Sequence, residues 1–146
     1  FFSASPMTYR APYPDVAIPD KVSVPDFVLR TIENFGDRIA LLEHVSGAAL
    51  TYRQVATQAR CVAHSLQLRG LNKGDVVAIY APNVPHYPVA MLGVALAGGV
   101  VTTVSPLYTV HELQHQLAHN GAQYMITVSG LLPTVLATKH KFREVF

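Results

Sequence analysis

The stretch HELQH, residues 111–115, has the residue types and the spacing of a zinc-protease signature. In a helix, His111 and His115 lie one turn apart and can share a zinc ion, while Glu112 can act as the general base. A zinc protease needs a third protein ligand, and the only carboxylate after His115 is Glu144, near the end of the chain. The two histidines alone could still hold zinc or nickel weakly, without implying a function.

The residues that flank HELQH favour a structural explanation. Thr109 and Glu112 form a T-x-x-E capping box, in which each side chain satisfies a backbone N–H at the start of a helix. Asn120 and Gly121 supply an end signal, so we predict a helix over 110–119. Helical spacing collects the aliphatic side chains on one arc and the histidines beside and opposite it. We therefore expect the aliphatic residues to face the sheet and the histidines to face solvent or another segment.

Helices and strands alternate along the rest of the sequence. Residues 1–25 contain five prolines and are predicted to form an extended N-terminal strap. From residue 51 onward, short turns separate apolar strands from helices, which predicts parallel strands joined by right-handed crossovers. We therefore predict an α/β fold with an open, mostly parallel, doubly wound sheet, preceded by a β-hairpin. The predicted helices cover 26–35, 52–69, 86–97, 110–119 and a stretch from about 131, and the predicted strands lie within 39–52 and at 76–81, 100–105 and 123–128.

Local signals support several of these boundaries. Thr51 and Gln54 form a second capping box, and Gly70 is placed to end the helix that follows it. Ser46-Gly47 is the predicted turn of the hairpin. The basic run at 139–143 is predicted to be the solvated end of the last helix.

Composition excludes several classes of function. The net charge is only +2, with no basic stripe, so we expect no binding to nucleic acid. The longest apolar run, residues 88–101, is too short for a membrane-spanning helix of about 20 residues, so no transmembrane segment is predicted. Cys61 is the only cysteine, which rules out a disulfide within the chain and predicts an inert thiol.

Charged residues are distributed unevenly. Residues 1–75 carry seven acidic and eight basic side chains, whereas residues 76–138 carry one charge, Glu112. Because the surface of an independent domain is normally richer in charge, we expect much of 76–138 to be covered, partly by protein outside this chain.

Three weaker patterns are interpreted as structural or are left open. Gly93-x4-Gly98-Gly99 resembles the start of a phosphate-binding loop but lacks its Lys and Ser/Thr, so close helix packing and a turn are the better explanation. His64, His86 and Tyr87 are interpreted as packing or surface residues. The only polar cluster at the carboxyl end of a predicted strand, where ligands of α/β proteins tend to bind, consists of Thr102, Thr103, Ser105 and Pro106.

The order of these pieces resembles the adenylate-forming acyl-CoA synthetases, especially the 4-coumarate:CoA ligase-like enzymes. YPDVAIPD and VPDFVL resemble the family's N-terminal strap and first helix, and FGDRIALLE with LTYRQV resembles its opening hairpin. The block from LRGLNKGDVV through LYTVHELQHQL resembles the next part almost continuously, and the resemblance covers roughly residues 9–130. HELQH falls on the family pattern P-x-Y-T-x-x-E-L, in which the histidines occupy free positions. Ser105 departs from the Asn that many relatives carry.

The resemblance implies a two-step reaction in which a carboxylic acid and ATP give an acyl-adenylate and CoA then displaces AMP. ATP, Mg and CoA are implied for a full-length parent, whose phosphate loop ending in P-K-G, nucleotide sites and C-terminal lid find no match here. No catalytic, cofactor-binding or metal-binding residue of the family maps onto this chain, and residues 26–146 resemble an incomplete N-terminal portion of an AMP-binding domain. The chain is then an inactive fragment whose partner over 76–138 is the rest of the ligase. The alternative is a non-catalytic accessory or structural subunit bound to another protein.

Overall fold

The computed structural model describes residues 12–146, which form an α/β fold in which residues 12–23 adopt neither helix nor strand. The remainder of the predicted strap, residues 1–11, lies outside the described residues. The helices are α1 (Val24–Ile32), α2 (Tyr52–Leu68), α3 (His86–Leu96), α4 (Val110–Asn120) and α5 (Leu132–Ala137), with short 3-10 turns at Glu33–Phe35 and Ser129–Leu131. The strands are β1 (Ile39–Leu42), β2 (Ala49–Thr51), β3 (Val76–Tyr80), β4 (Val100–Val104), β5 (Tyr124–Thr127) and β6 (Glu144–Val145).

The main sheet has four strands in the order β4-β3-β5-β6, and every neighbouring pair is parallel. Strands β1 and β2 form a separate antiparallel hairpin, as predicted. Alternate residues of β3 face opposite helix layers: Val77 packs with residues of α2 and α3, whereas Tyr80 packs with residues of α4 and α5. Helices therefore cover both faces of a parallel sheet, which confirms the doubly wound fold.

The basic run at 139–143, predicted to be the end of the last helix, is neither helix nor strand and leads into β6. Helix α5 stops at Ala137, where the buried hydroxyl of Thr138 donates to the carbonyl of Val135 at 2.7 Å. Lys139 then adopts a left-handed conformation with φ 54°, which turns the chain back toward β5. The prediction of a helix end was wrong because the run leaves the helix and reaches the sheet, where Arg143 N donates to the carbonyl of Gln123, just before β5, at 2.7 Å.

Helix α3 is enclosed by other parts of this chain. Its residue Val89 belongs to a core cluster built from α1, β2 and α2, and only His86 and Met91 of the helix are exposed. Much of the uncharged segment 76–138 is thus covered within the chain itself. The apolar residues of that segment that remain exposed lie mostly around β4, the following loop and α5, and they include Val100, Leu107, Tyr108 and Leu136.

Helices α2 and α3 approach each other most closely at Gly93. A Cβ atom added there would lie 2.5 Å from Cγ1 of Val62 and 3.0 Å from the carbonyl oxygen of Ala59, so the position has room only for glycine. This confirms close packing as the role of Gly93. Within residues 12–146, no helix is long and apolar enough to cross a membrane.

Candidate functional site

Helix α4 carries the HELQH stretch and begins with the predicted capping box. The backbone N–H and the hydroxyl of Thr109 both donate to Oε2 of Glu112 at 2.8 Å, and Glu112 N donates back to Thr109 Oγ1 at 3.4 Å. The bond from the Thr109 backbone, followed by that from its hydroxyl, lowers the pKa of Glu112 from its usual value. The carboxylate is thus committed to the helix start and is a poor proton acceptor at neutral pH.

The orientation of α4 confirms the prediction from helical spacing for the leucines and the histidines, whereas Ala118, predicted to face the sheet, is exposed. Leu113 and Leu117 are fully buried against the sheet, whereas His111, His115 and His119 are exposed. Among the described residues, no group of three or more His, Cys, Asp or Glu side chains is arranged to hold a metal ion. HELQH therefore acts here as a capped amphipathic helix.

Substituting Thr109 with alanine tests the cap directly. We expect Thr109→Ala to lower the free energy of unfolding by about 1 kcal/mol, because it leaves the N–H of Glu112 in the first turn without its acceptor. Urea unfolding followed by circular dichroism measures this loss. Thr109→Ser retains the hydroxyl and should stay close to the parent chain, and an equal loss in both variants would contradict the role of the cap.

The polar cluster in and just after β4 makes hydrogen bonds that hold the fold together. The side chain of Asn120 donates to Oγ1 of Thr102 at 3.1 Å, and that of Gln116 donates to the carbonyl of Thr103 at 3.0 Å. These two bonds fasten α4 to the outer strand of the sheet. Ser105 Oγ accepts a bond of 3.4 Å from the N–H of Leu107 within the turn that also contains Pro106. The predicted residues are neighbours along the chain, but their hydrogen bonds diverge and do not converge on one ligand position.

Two further hydrogen bonds at the carboxyl end of the sheet were not predicted from the sequence. The Tyr80 hydroxyl donates to the carbonyl of Tyr108 at 3.2 Å, and Thr127 Oγ1 donates to the carbonyl of Tyr80 at 2.8 Å. Both join segments far apart in the sequence, so only the strand order brings the partners together. They hold the loop after β4 and the end of β5 against β3.

A groove of about 390 Å³ lies between α2 and α3 near this end of the sheet. Exposed Cys61 and His86 line it. The rest of its wall is mostly apolar and includes Val62, Leu66, Val89, Ala90, Ile126 and Phe146. The groove therefore offers a mostly apolar contact surface.

The other residues considered from the sequence lie on α2, at the start of α3 and just after α3. His64 is exposed on α2, as predicted for a surface residue. Burial raises the pKa of Tyr87, next to His86 at the start of α3, so its phenol stays protonated at neutral pH. Gly98, with φ 88°, turns the chain after α3 and so ends a helix, whereas a phosphate-binding loop precedes one.

Comparison with known proteins assigns this arrangement to a family. The family model described as "AMP-binding enzyme" matches residues 28–145, which run from α1 through β6. The chain belongs to the AMP-binding enzyme family. This confirms the resemblance predicted from residues 9–130 and places α4, with its HELQH stretch, inside the family fold.

Relatives within the AMP-binding family include acid–CoA ligases. The protein "4-coumarate--CoA ligase-like 1" of Arabidopsis thaliana is 39% identical over 119 residues, which are 82% of this chain and 22% of that protein. A long-chain-fatty-acid–CoA ligase of Escherichia coli is 37% identical over 129 residues, 87% of this chain and 23% of that ligase. The chain thus spans less than a quarter of the length of these relatives.

Solved structures show the same fold. The luciferase-like enzyme of the mealworm Zophobas morio superposes with a TM-score of 0.77 at 24% identity, over 87% of this chain and 31% of that enzyme. The parallel sheet covered on both faces is therefore the fold of this part of an AMP-binding enzyme.

Proposed function

We propose that this chain is the N-terminal part of an acid–CoA ligase, which activates a carboxylic acid with ATP and transfers the acyl group to CoA. The observation that carries the proposal is the AMP-binding family match over residues 28–145, joined to ligase relatives of 37–39% identity. The two relatives are named for an aromatic acid and a long-chain aliphatic acid, and their similar identities favour neither substrate. In this proposal residues 1–25 form a strap and residues 26–146 an incomplete portion of the AMP-binding domain.

We further propose that these residues do not catalyse the reaction alone. The sequence has no Ser/Thr/Gly-rich loop ending in P-K-G to hold the phosphates of ATP. Glu112, the one charged side chain in 76–138, is held in its capping box. ATP, Mg and CoA would accordingly be bound by residues outside this chain, while these residues supply the scaffold on which that site is built.

The remainder of the ligase is the proposed partner of this surface. Val100, Leu107 and Leu136 expose 50%, 89% and 68% of their surface, respectively, in a segment almost without charge. Burial of apolar surface of this kind is the main favourable contribution to association, so further protein is expected to cover it. The apolar groove between α2 and α3 provides a second contact surface on the other side of the sheet.

Calorimetry with the purified 146-residue chain tests the proposed inactivity. Titration with ATP and Mg²⁺ should release no binding heat, because the phosphate loop is missing. Circular dichroism before and after the titration checks that the chain is folded. Stoichiometric ATP binding, or formation of an acyl-adenylate trapped by hydroxylamine, would contradict the proposal.

The intact mass of the protein in its source separates the ligase from an accessory subunit. Mass spectrometry of material captured with an antibody to this chain should show a species several times heavier than the 15.9 kDa of these residues. A mass near 15.9 kDa with no heavier species would overturn the proposal of a ligase and favour a non-catalytic subunit bound to another protein.

A further inference from the structure

Three histidines form an exposed stripe along α4. His111, His115 and His119 follow one another at intervals of four residues, and all three are exposed. Residues four apart on a helix are surface neighbours, with about 5–6 Å between their Cβ atoms. Leu113 and Leu117 of the same helix are fully buried, so the face that carries the histidines is fixed toward the outside of the sheet layer.

We propose that this histidine stripe binds one divalent transition-metal ion, such as nickel(II), copper(II) or zinc(II), through two imidazoles at a time. Imidazole nitrogen is a preferred ligand of these ions, and two rings one helical turn apart can reach the same ion. The stripe contains two alternative pairs, His111 with His115 and His115 with His119. Water molecules would complete the coordination.

His115 is the shared member of both pairs. His119 is eight residue steps beyond His111, about 12 Å along the helix axis, so these two side chains cannot both bind the ion that His115 holds. This agrees with the finding that residues 12–146 contain no group of three or more metal-ligating side chains. The expected stoichiometry is therefore one ion per chain.

The helix is ordered before any ion arrives. Its first turn is fixed by the capping box of Thr109 and Glu112, and its last residue is followed by Gly121 in a left-handed conformation with φ 66°. Binding therefore has to restrict only the imidazole side chains, which lowers its entropic cost. Oε2 of Glu112 already accepts two bonds of 2.8 Å from Thr109, so the stripe uses histidines and not the carboxylate of HELQH.

Other histidines of the chain provide matched controls. His64 on α2 and His86 at the start of α3 are exposed, and neither has a second histidine four residues away. Each loses the same side chain as the stripe variants when substituted with alanine, but neither loses a pair of histidines. Exposed Cys61 lies three residues before His64 and lines the same groove as His86, so all chains compared carry Cys61→Ser, which removes this competing ligand. Their variants therefore report the contribution of single surface imidazoles.

The test is a calorimetric titration of the untagged 146-residue chain with nickel chloride. His115→Ala should weaken binding at least about tenfold, because both pairs are lost and a single imidazole remains without a chelating partner. His111→Ala and His119→Ala should each weaken binding only about twofold, because one of two pairs survives. His64→Ala and His86→Ala should bind like the parent chain.

A stability measurement and a conservative variant complete the design. Nickel should raise the Tm of the parent chain and leave that of His115→Ala nearly unchanged, since only a folded α4 presents the pairs. Glu112→Gln should bind nickel normally, because glutamine completes the same kind of box in α2 through Gln54. The proposal is overturned if His115→Ala binds like His64→Ala, or if Glu112→Gln abolishes binding.

Discussion

Gly93→Ala should lower the free energy of unfolding by about 2 kcal/mol, although alanine is the better helix former. The added Cβ would lie 2.5 and 2.6 Å from the Cγ1 and Cβ atoms of Val62, far inside ordinary contact distance. The Cβ of Val62 is fixed by its own backbone, so relief requires α2 and α3 to move apart. Overpacking of this kind costs about 3 kcal/mol at its upper typical value, and the gain in helix propensity returns about 1 kcal/mol.

Two further variants isolate the steric cause. Gly130→Ala makes the same chemical change where the new methyl group meets no atom within 4 Å, so it should be close to neutral. Val62→Ala removes the Cγ1 contact but keeps the Cβ, so it should restore part of the loss when combined with Gly93→Ala. Urea unfolding of the parent chain, Gly93→Ala, Val62→Ala and the double variant forms a double-mutant cycle. A strictly additive result would show that the α2–α3 contact is not the cause.

Leu117→Ala should destabilise the fold by about 3 kcal/mol, within the range usual for buried leucine. Leu117 is fully buried and packs in a cluster with Tyr80, Leu113 and Met125 on the α4–α5 face of the sheet. Removing its side chain leaves a cavity that the surrounding strand and helix residues cannot fill, because their backbones are held by the parallel ladders.

The matched control for Leu117 is an exposed position one turn earlier in the same helix. Gln114→Ala changes an exposed position and should shift the free energy of unfolding by less than about 0.5 kcal/mol. Guanidinium unfolding followed by circular dichroism measures both variants. Equal effects at the two positions would mean that α4 does not pack through its leucines, and would reopen the interpretation of HELQH as a site rather than a scaffold.

The sequence predicts the elements whose causes are local. Both capping boxes, at Thr51 and Thr109, occur where the T-x-x-Q and T-x-x-E patterns place them, because a cap depends on residues only three positions apart. The predicted strand 76–81 is observed as Val76–Tyr80, since an uninterrupted apolar run between turns is typical of a strand buried on both faces. The short connections between these elements also predicted the parallel strands and the helices on both faces of the sheet.

Features with distant causes could not be predicted in the same way. Strand β6 has two residues and no periodicity, and it exists because Phe146 finds backbone partners on β5 and Arg143 finds one at Gln123, just before β5. The candidate polar cluster lies in and just after β4, and its hydrogen bonds depend on how α4 lies across that strand. The bond between Asn120 and Thr102 joins residues 18 positions apart, a relation that spacing alone does not encode.

The bond from Gln116 to Thr103 also bears on how the chain behaves in solution. Strand β4 forms one edge of the sheet, and its sequence VVTTV is β-branched and uncharged, which makes it a template for unwanted strand addition. The N–H of Val100 pairs with Asp75 on the β3 side, so the peptide groups of Thr103, three residues on, point to the open side. The side chain of Gln116 already donates a hydrogen bond to the Thr103 carbonyl. A strand from a neighbouring molecule would have to displace Gln116 before it could pair with β4 at this position and start aggregation.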